Sequence, residues 1–385
     1  MNISETLFAL IRNELLGEQL SSDVISSLDG KMLEDLYSLS RFHDCAHLLY
    51  NPIVKSGVFS TDDSTIKKFQ KKQMLALYQV SQIEFETERI CELLNAEQIP
   101  YILLKGAKIR KYYPEPWMRT SCDIDILVHK EDTQKALSAI TQKLHYSQKG
   151  EPDFHDVSLY SENGIQLELH FSILENSPVL DVLLDKVWDY AVKKEDSFEY
   201  ELTGEYFVFY FLSHMAYHFM SGGCGIRPFI DLWYIKKNID FDSSKLYSLL
   251  EQCSLKDFYE NALYLSDVWM ECKPYNETTE RMENFVFNGG SYGTRENLIS
   301  LRSSKKKNKL SYVFSRLFPS YSVLKIRYPS LDGKHYLICF YWVKRFFDNL
   351  LNKKENAVYE LKTTINIDEE KNSEMIDLMK TLNLK

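Results

Sequence analysis

Three carboxylates carry most of the chemistry this sequence can do. Asp123 and Asp125 stand one residue apart inside an apolar run, "CDIDILV". Side chains of a strand alternate between faces, so Cys122, Ile124, Ile126 and Val128 are expected on a core face. Both aspartates then share the other face, about 7 Å apart. Carboxylates so placed repel each other unless a cation lies between them. Mg²⁺ favours such oxygen ligands and usually completes its shell with substrate phosphates. In "IQLELH", Ile165, Leu167 and Leu169 share one face, and Gln166, Glu168 and His170 the other. If this strand lies beside the first, Glu168 completes a three-acid cluster able to hold two Mg²⁺ ions, with Mn²⁺ as a substitute. Such a cluster suits an in-line displacement at phosphorus. Asp-x-Asp alone is common on exposed strands without any metal, so the third acid and its facing carry the reading.

Positive charge lies just upstream. "LLKGAK" places Gly106 between a strand and a helix, where free backbone N–H groups can meet phosphate oxygens. Lys105 adds a fixed charge, and Arg119 can grip phosphate through two parallel hydrogen bonds. The bland alternative for Lys-Gly here is a tight turn. His214 and His218 lie at i, i+4 on one helix, a spacing that can bind a metal but finds no third ligand in the sequence; a core or supporting role is the commoner reading, with a place in the acceptor pocket as the alternative. Arg227 and Asp231 are also i, i+4, which suits an intrahelical ion pair or a ligand contact beside "SGGCGI". His170, on the acidic face, is placed to orient a carboxylate or an acceptor hydroxyl. "FNGGSYG" is a glycine-rich loop and candidate lid without the lysine and spacing of a P-loop. No Ser-His-Asp or Cys-His arrangement points to a nucleophilic side chain.

The elements that must position these residues are legible in outline. Residues 1–95 read as an N-terminal helical region, including "ETLFALIRNELL" and a long helix through "KKQMLALYQVSQIEFETERICELLNAEQ" ended by Pro100. From 96 to 180 the order is strand, helix, strand, helix, strand, strand. The second helix has Asp132 at its N-cap, and the last two strands pair around Asn163-Gly164. Residues 181–300 read as helices, 301–354 as a basic aromatic segment and 355–385 as a loose polar tail. With scarce Gly and Pro (14 and 10) and 14% aromatic residues, the fold class is α+β and helix-rich.

A net charge of -9 argues against general attraction to nucleic acid. The distribution is uneven: residues 301–354 hold thirteen Lys and Arg against two Asp. That face suits phosphate, an acidic substrate or a membrane surface, or it simply balances an acidic body. Seven scattered cysteines without a CxxC pair, no signal-like start and no apolar run near ~20 residues place the expected location in the cytoplasm.

These motifs resemble a known family. "LLKGAKIRKYYPEPWMRTSCDIDILV" is similar to the signature of the DNA polymerase beta-like nucleotidyltransferase superfamily, and within it to a bacterial family called uncharacterised nucleotidyltransferase. The matching pieces are Leu104-Lys105-Gly106, Tyr113-Pro114-Glu115-Pro116, Arg119, Asp123-Ile124-Asp125 and Leu167-Glu168-Leu169-His170. Flanking similarity in "SHMAYHF", "IRPFIDL" and "NFVFNGGSYG" extends it over roughly residues 85–345. The resemblance implies a minimal nucleotidyltransferase mixed sheet with flanking helical regions. It also implies transfer of a nucleoside monophosphate from NTP, with Asp123, Asp125 and Glu168 as metal carboxylates. Ala107 departs from the Gly-Ser or Gly-Gly of the wider superfamily and removes a hydroxyl that could touch phosphate. The acceptor stays open: a small molecule, an RNA end or a protein hydroxyl. A non-catalytic scaffold, or a peripheral membrane protein of envelope polysaccharide biosynthesis, is the competing reading.

Overall fold

The structure is a computed structural model that describes residues 2–150, 153–291, 293–304, 314, 317–352 and 369–384. Its centre is a seven-stranded mixed sheet. The strands are β1 (Tyr101–Leu103), β2 (Asp123–Val128), β3 (Ser147–Gln148), β4 (Asp156–Tyr160), β5 (Gln166–His170), β6 (Ala191–Lys193) and β7 (Glu199–Leu202), in the order β3-β4-β5-β2-β1-β7-β6. β2 runs antiparallel to β1 and parallel to β5, and β4 and β5 form the hairpin expected around Asn163-Gly164. β6 and β7 fall where the sequence reads as helix. They are short, "AVK" and "EYEL", so no long apolar alternation marks them; β7 is held by its parallel pairing with β1.

Helices cover both faces of the sheet. One face buries Ile124, Ile126, Val128, Leu167 and Leu169 against α5 (Ser64–Ala96) and α7 (Thr133–Lys143), through Ile83, Ile90, Ala136 and Ile140. The start of α5 is fixed by Asp63, whose side chain accepts from the Thr65 and Ile66 amides. α5 ends at Ala96, ahead of Pro100, where Gln98 turns the chain with φ 55°. The other face sends Ile102, Leu104 and Leu127 into a larger core. That core joins the N-terminal helices α1 (Ile3–Leu16), α3 (Gly30–Phe42) and α4 (Tyr50–Lys55) to a helical layer, with α2 (Ser22–Ser27) lying against α1. The layer comprises α6 (Lys105–Arg110), α8 (Pro178–Leu184), α9 (Gly204–Met220), α10 (Arg227–Asn238), α11 (Ser243–Gln252), α12 (Lys256–Glu271) and α13 (Glu277–Gly289). α9 is apolar nearly all round and is buried accordingly.

Three local expectations need correction. Cys122 is exposed, because β2 begins one residue later, at Asp123. Asp132 precedes α7 but makes no capping hydrogen bond, since a 3₁₀ turn over Lys130–Asp132 holds it in helical backbone geometry. The tail is not loose over its described part: Glu369–Thr381 is a helix whose Leu378 and Met379 enter the main core, tied down by Arg281–Asp377 (2.8 Å). The basic run Lys305–Lys309 and residues 353–368 lie outside the described residues. Among the described residues, no helix is long and apolar enough to cross a membrane.

Candidate active site

The parallel pairing of β2 with β5 sets Asp125 directly opposite Glu168 and Asp123 opposite Gln166. Partners so opposed project from the same face of a sheet. The apolar alternation of both strands fixes that face: Ile124, Ile126, Leu167 and Leu169 are buried on the other side. His170, two residues beyond Glu168, returns to the same face. Its Nε2 lies 3.1 Å from Asp125 Oδ1 and 3.6 Å from Glu168 Oε2. Gln166 donates to Glu168 Oε1 at 3.0 Å. The segment before β2 is strapped in place: Arg110 donates to Ser121 Oγ (2.7 Å), Gln79 to the Ser121 carbonyl (2.9 Å) and Arg227 to the Thr120 carbonyl (2.9 Å).

These residues line a cavity of about 320 Å³, with Asp123, Asp125 and Glu168 on its sheet wall and Lys105, His214 and His218 on its helical side. Lys105 is the first residue of α6, directly after β1, and the Leu104 amide is bonded to the Asp125 carbonyl (3.1 Å), which ties the turn to β2. Burial pulls the Lys105 ammonium down, while Asp125, Glu175, Asp123 and Glu168 push it back up. Its Nζ also sits 5.4 Å from the centre of the Tyr210 ring.

The carboxylates are held unequally. Burial, then repulsion from Asp125 and Glu168, raises Asp123 to about 6. Burial also raises Asp125, but the hydrogen bond and charge of His170, with Lys105, outweigh it and hold this acid well below the usual range. Burial lowers His170, yet its bonds to Asp125 and Glu168 win and set it at about 9. Donor atoms of Asp125, Glu168 and His170 lie within 4.8 Å of one another, so these three could hold a metal ion. A second such group, Asp153, His155 and Asp156, borders the first, with the His155 and His170 rings stacked at 5.5 Å.

Residues 30–271 match a family model described as uncharacterised nucleotidyltransferase. The chain belongs to this family. Among the cavity residues, only Ser291 falls outside the match. Membership supports a transferase role built on a nucleotide substrate. Comparison with curated proteins and with solved structures gave no match.

The remaining sequence candidates are placed as follows. Arg119 is buried, and its Nε (3.3 Å) and Nη2 (3.0 Å) both donate to Asp231, which also accepts from Tyr113 Oη (2.8 Å). The two-pronged grip expected on phosphate is therefore spent on Asp231. The intrahelical Arg227–Asp231 pair does not form, because α10 turns Asp231 inward and leaves Arg227 at the cavity edge, bonded to Thr120 and 3.9 Å from Asp44. The third Arg119 nitrogen, Nη1, faces Gly106: a Cβ there would lie 3.3 Å from it. Glycine lets the α6 backbone close onto the guanidinium.

The glycines of the candidate lid "FNGGSYG" are packed, not free. Gly289, Gly290 and Gly293 pack against Gly222, Gly223 and Gly225; a Cβ on Gly293, whose φ is +75°, would meet the Gly222 carbonyl carbon at 2.6 Å. No described residue of 301–354 lines the cavity; Leu324, Leu331 and Tyr341 instead form a small core of their own. Among the lining residues that the sequence motifs do not single out are His155, just ahead of β4, Glu175, in the irregular stretch after β5, and Tyr210, on the cavity-facing side of α9. An acid five residues past the "LELH" strand, ahead of the "NSP" helix start, is the one hint available for Glu175.

Proposed function

We propose that this chain transfers a nucleoside monophosphate from an NTP to a hydroxyl acceptor and releases pyrophosphate. The observation that carries the reading is the Asp125–Glu168 pairing across β2 and β5, on a cavity wall faced by Lys105. The donor set fits a divalent cation. The Asp125 and Glu168 carboxylates converge with donor atoms within 4.8 Å, and Asp123 is raised by burial and then by neighbouring negative charge that a cation would relieve. Asp123, Asp125 and Glu168 would hold Mg²⁺, and Mg²⁺ when bound neutralises charge on the phosphates and lowers the pKa of a coordinated hydroxyl.

The chain's own residues would do the rest. Lys105 places a half-buried positive charge against the triphosphate, where water screens it less than in bulk. Arg119 shapes the site indirectly, holding α6 and α10 together through Asp231 while Nη1 stays turned to Gly106. His170 fixes the Asp125 carboxylate in one orientation until a cation competes for it. Catalysis on this reading is positioning and charge complementarity. The test is incubation with each α-labelled NTP, Mg²⁺ and cell extract, comparing wild type with Asp123→Ala/Asp125→Ala. Label should pass to an acceptor with the wild type alone. Equal labelling by both, or none by either, would overturn the reading.

A further inference from the structure

Glu175, His214 and His218 form a hydrogen-bonded series in the cavity wall that metal binding does not use. Glu175 is anchored by its own amide, which donates to Asp181 Oδ1 at 2.9 Å. His214 and His218 sit one turn apart on α9. His214 Nδ1 lies 2.7 Å from Glu175 Oε1, and His214 Nε2 lies 2.9 Å from His218 Nε2.

The series has one direction. An ionised carboxylate only accepts, so His214 must donate from Nδ1 and keep a lone pair on Nε2. Two facing ring nitrogens need one donor and one acceptor, so His218 must donate from Nε2. That leaves the lone pair of His218 on Nδ1, which has no partner among the described residues and is not sealed from solvent. Two Nε2 atoms at i, i+4 also suggest a metal pair. However, neither histidine belongs to a group of three converging ligands among the described residues.

We propose that Glu175, His214 and His218 are an oriented proton relay whose open end, His218, takes the proton of the acceptor hydroxyl. The proposal rests on the nucleotidyl-transfer reading above and assigns a base to it. The acceptor O–H bond breaks and an N–H bond forms at His218 Nδ1. The His218 Nε2 proton passes to His214 Nε2, and the His214 Nδ1 proton passes to Glu175. The freed oxygen pair forms the bond to the α-phosphorus, and the P–O bond to pyrophosphate breaks with its pair leaving on pyrophosphate. Neither ring ends charged. Burial, reinforced by Lys105, holds His214 well below its usual range, and burial with His214 sets His218 at about 3. Both rings are thus neutral at physiological pH, each with one N–H and one lone pair as the series requires. Burial pushes Glu175 up, which suits the end of the relay. His218 is the catalytic residue, and His214 and Glu175 position it.

The experiment uses the full chain with α-labelled NTP, Mg²⁺ and the extract fraction that the wild type labels. His218→Ala should lower the rate at saturating NTP about 100-fold, within the usual range for losing a general base. His214→Ala should lower it about 30-fold, and both variants should keep the NTP KM within twofold. Binding of a fluorescent ATP analogue, unchanged in both, shows that the variants are folded. Nitrogen-15 NMR of the imidazoles should show His214 protonated at Nδ1 and His218 at Nε2, with His214 losing that preference in Glu175→Ala. A His218→Ala rate within threefold of wild type, or the opposite tautomers, overturns the relay. If the wild type labels nothing, the transfer reading fails, and the tautomers still decide whether the oriented series exists.

Discussion

Arg119 and Asp231 form a two-point ion pair in which Arg119 is 6 % exposed and Asp231 is 1 % exposed. Asp231 belongs to α10 and Arg119 to the segment entering β2, so the pair joins the helical layer to the strand that carries the acids. Removing one member of a buried pair strands the other charge, at a cost of about 3–5 kcal/mol. Asp231→Ala should therefore lower the unfolding free energy by about that amount in urea titrations. A loss below about 1 kcal/mol would show that Arg119 finds water or another partner.

Divalent cation should stabilise the folded chain through the β2–β5 acids, independently of any turnover. At a hundredfold excess over its dissociation constant, a ligand bound only by the native state adds about 2.7 kcal/mol. Mg²⁺ or Mn²⁺ should raise the melting temperature of the wild type, and EDTA should reverse the rise. Asp125→Asn should abolish the shift. A shift that persists in Asp125→Asn would place the bound ion elsewhere, with Asp153, His155 and Asp156 next to be tested.

The same Asp125→Asn change should lower label transfer about 10³-fold while the protein stays folded, since several kcal/mol of charge stabilisation at phosphorus depend on this carboxylate. Circular dichroism and gel filtration would establish folding. Transfer within tenfold of wild type would remove Asp125 from the metal site.

Buried histidines away from the cavity should make the protein sensitive to acid. Burial sets His43 at about 4, against the weaker opposing pull of the Phe287 backbone; burial also sets His47 at about 4, beside the Met118 carbonyl. Between pH 6.5 and 4 the unfolded chain binds protons at these residues that the folded chain refuses, so stability falls as pH falls. Each contributes about 3 kcal/mol over the full window. Asp123, raised to about 6, acts in the opposite sense over part of that range. Denaturant midpoints at pH 7 and 4.5 should differ clearly, and His43→Phe should shrink the difference. An unchanged difference in that variant would clear His43 of the effect.

Gly293 should tolerate no side chain. With φ +75° and the Gly222 backbone 2.6 Å from a Cβ position, Gly293→Ala should cost about 1–3 kcal/mol and speed amide exchange in 288–294. Exchange no faster than in the wild type would mean that the glycine joint yields without strain.

Much of this site was legible in the sequence because it depends on period-two alternation. "DIDILV" and "QLELH" each declare a core face and a polar face, and pairing them needs only that the strands be neighbours. What could not be read was choice of partner. Arg227 satisfies the helical spacing to Asp231, yet Asp231 takes Arg119, distant in sequence, because burial favours the two-pronged contact. Glu175 sits in irregular backbone, where no periodicity announces its direction. β6 and β7 are too short to show alternation. The helix Glu369–Thr381 holds few apolar residues, and its place is set by the partners it meets on α13, not by its own composition.

The exchange of hydrogen bonds between β2 and β5 has one more consequence. Sliding β5 by a single residue would turn Glu168 into the oily layer beneath the sheet and lift Leu167 or Leu169 into the cavity. A chain that assembled its acids wrongly would also leave its interior half unfilled, and would not persist as a folded molecule. The sheet therefore proofreads the site: any molecule stable enough to survive has its carboxylates on the right side.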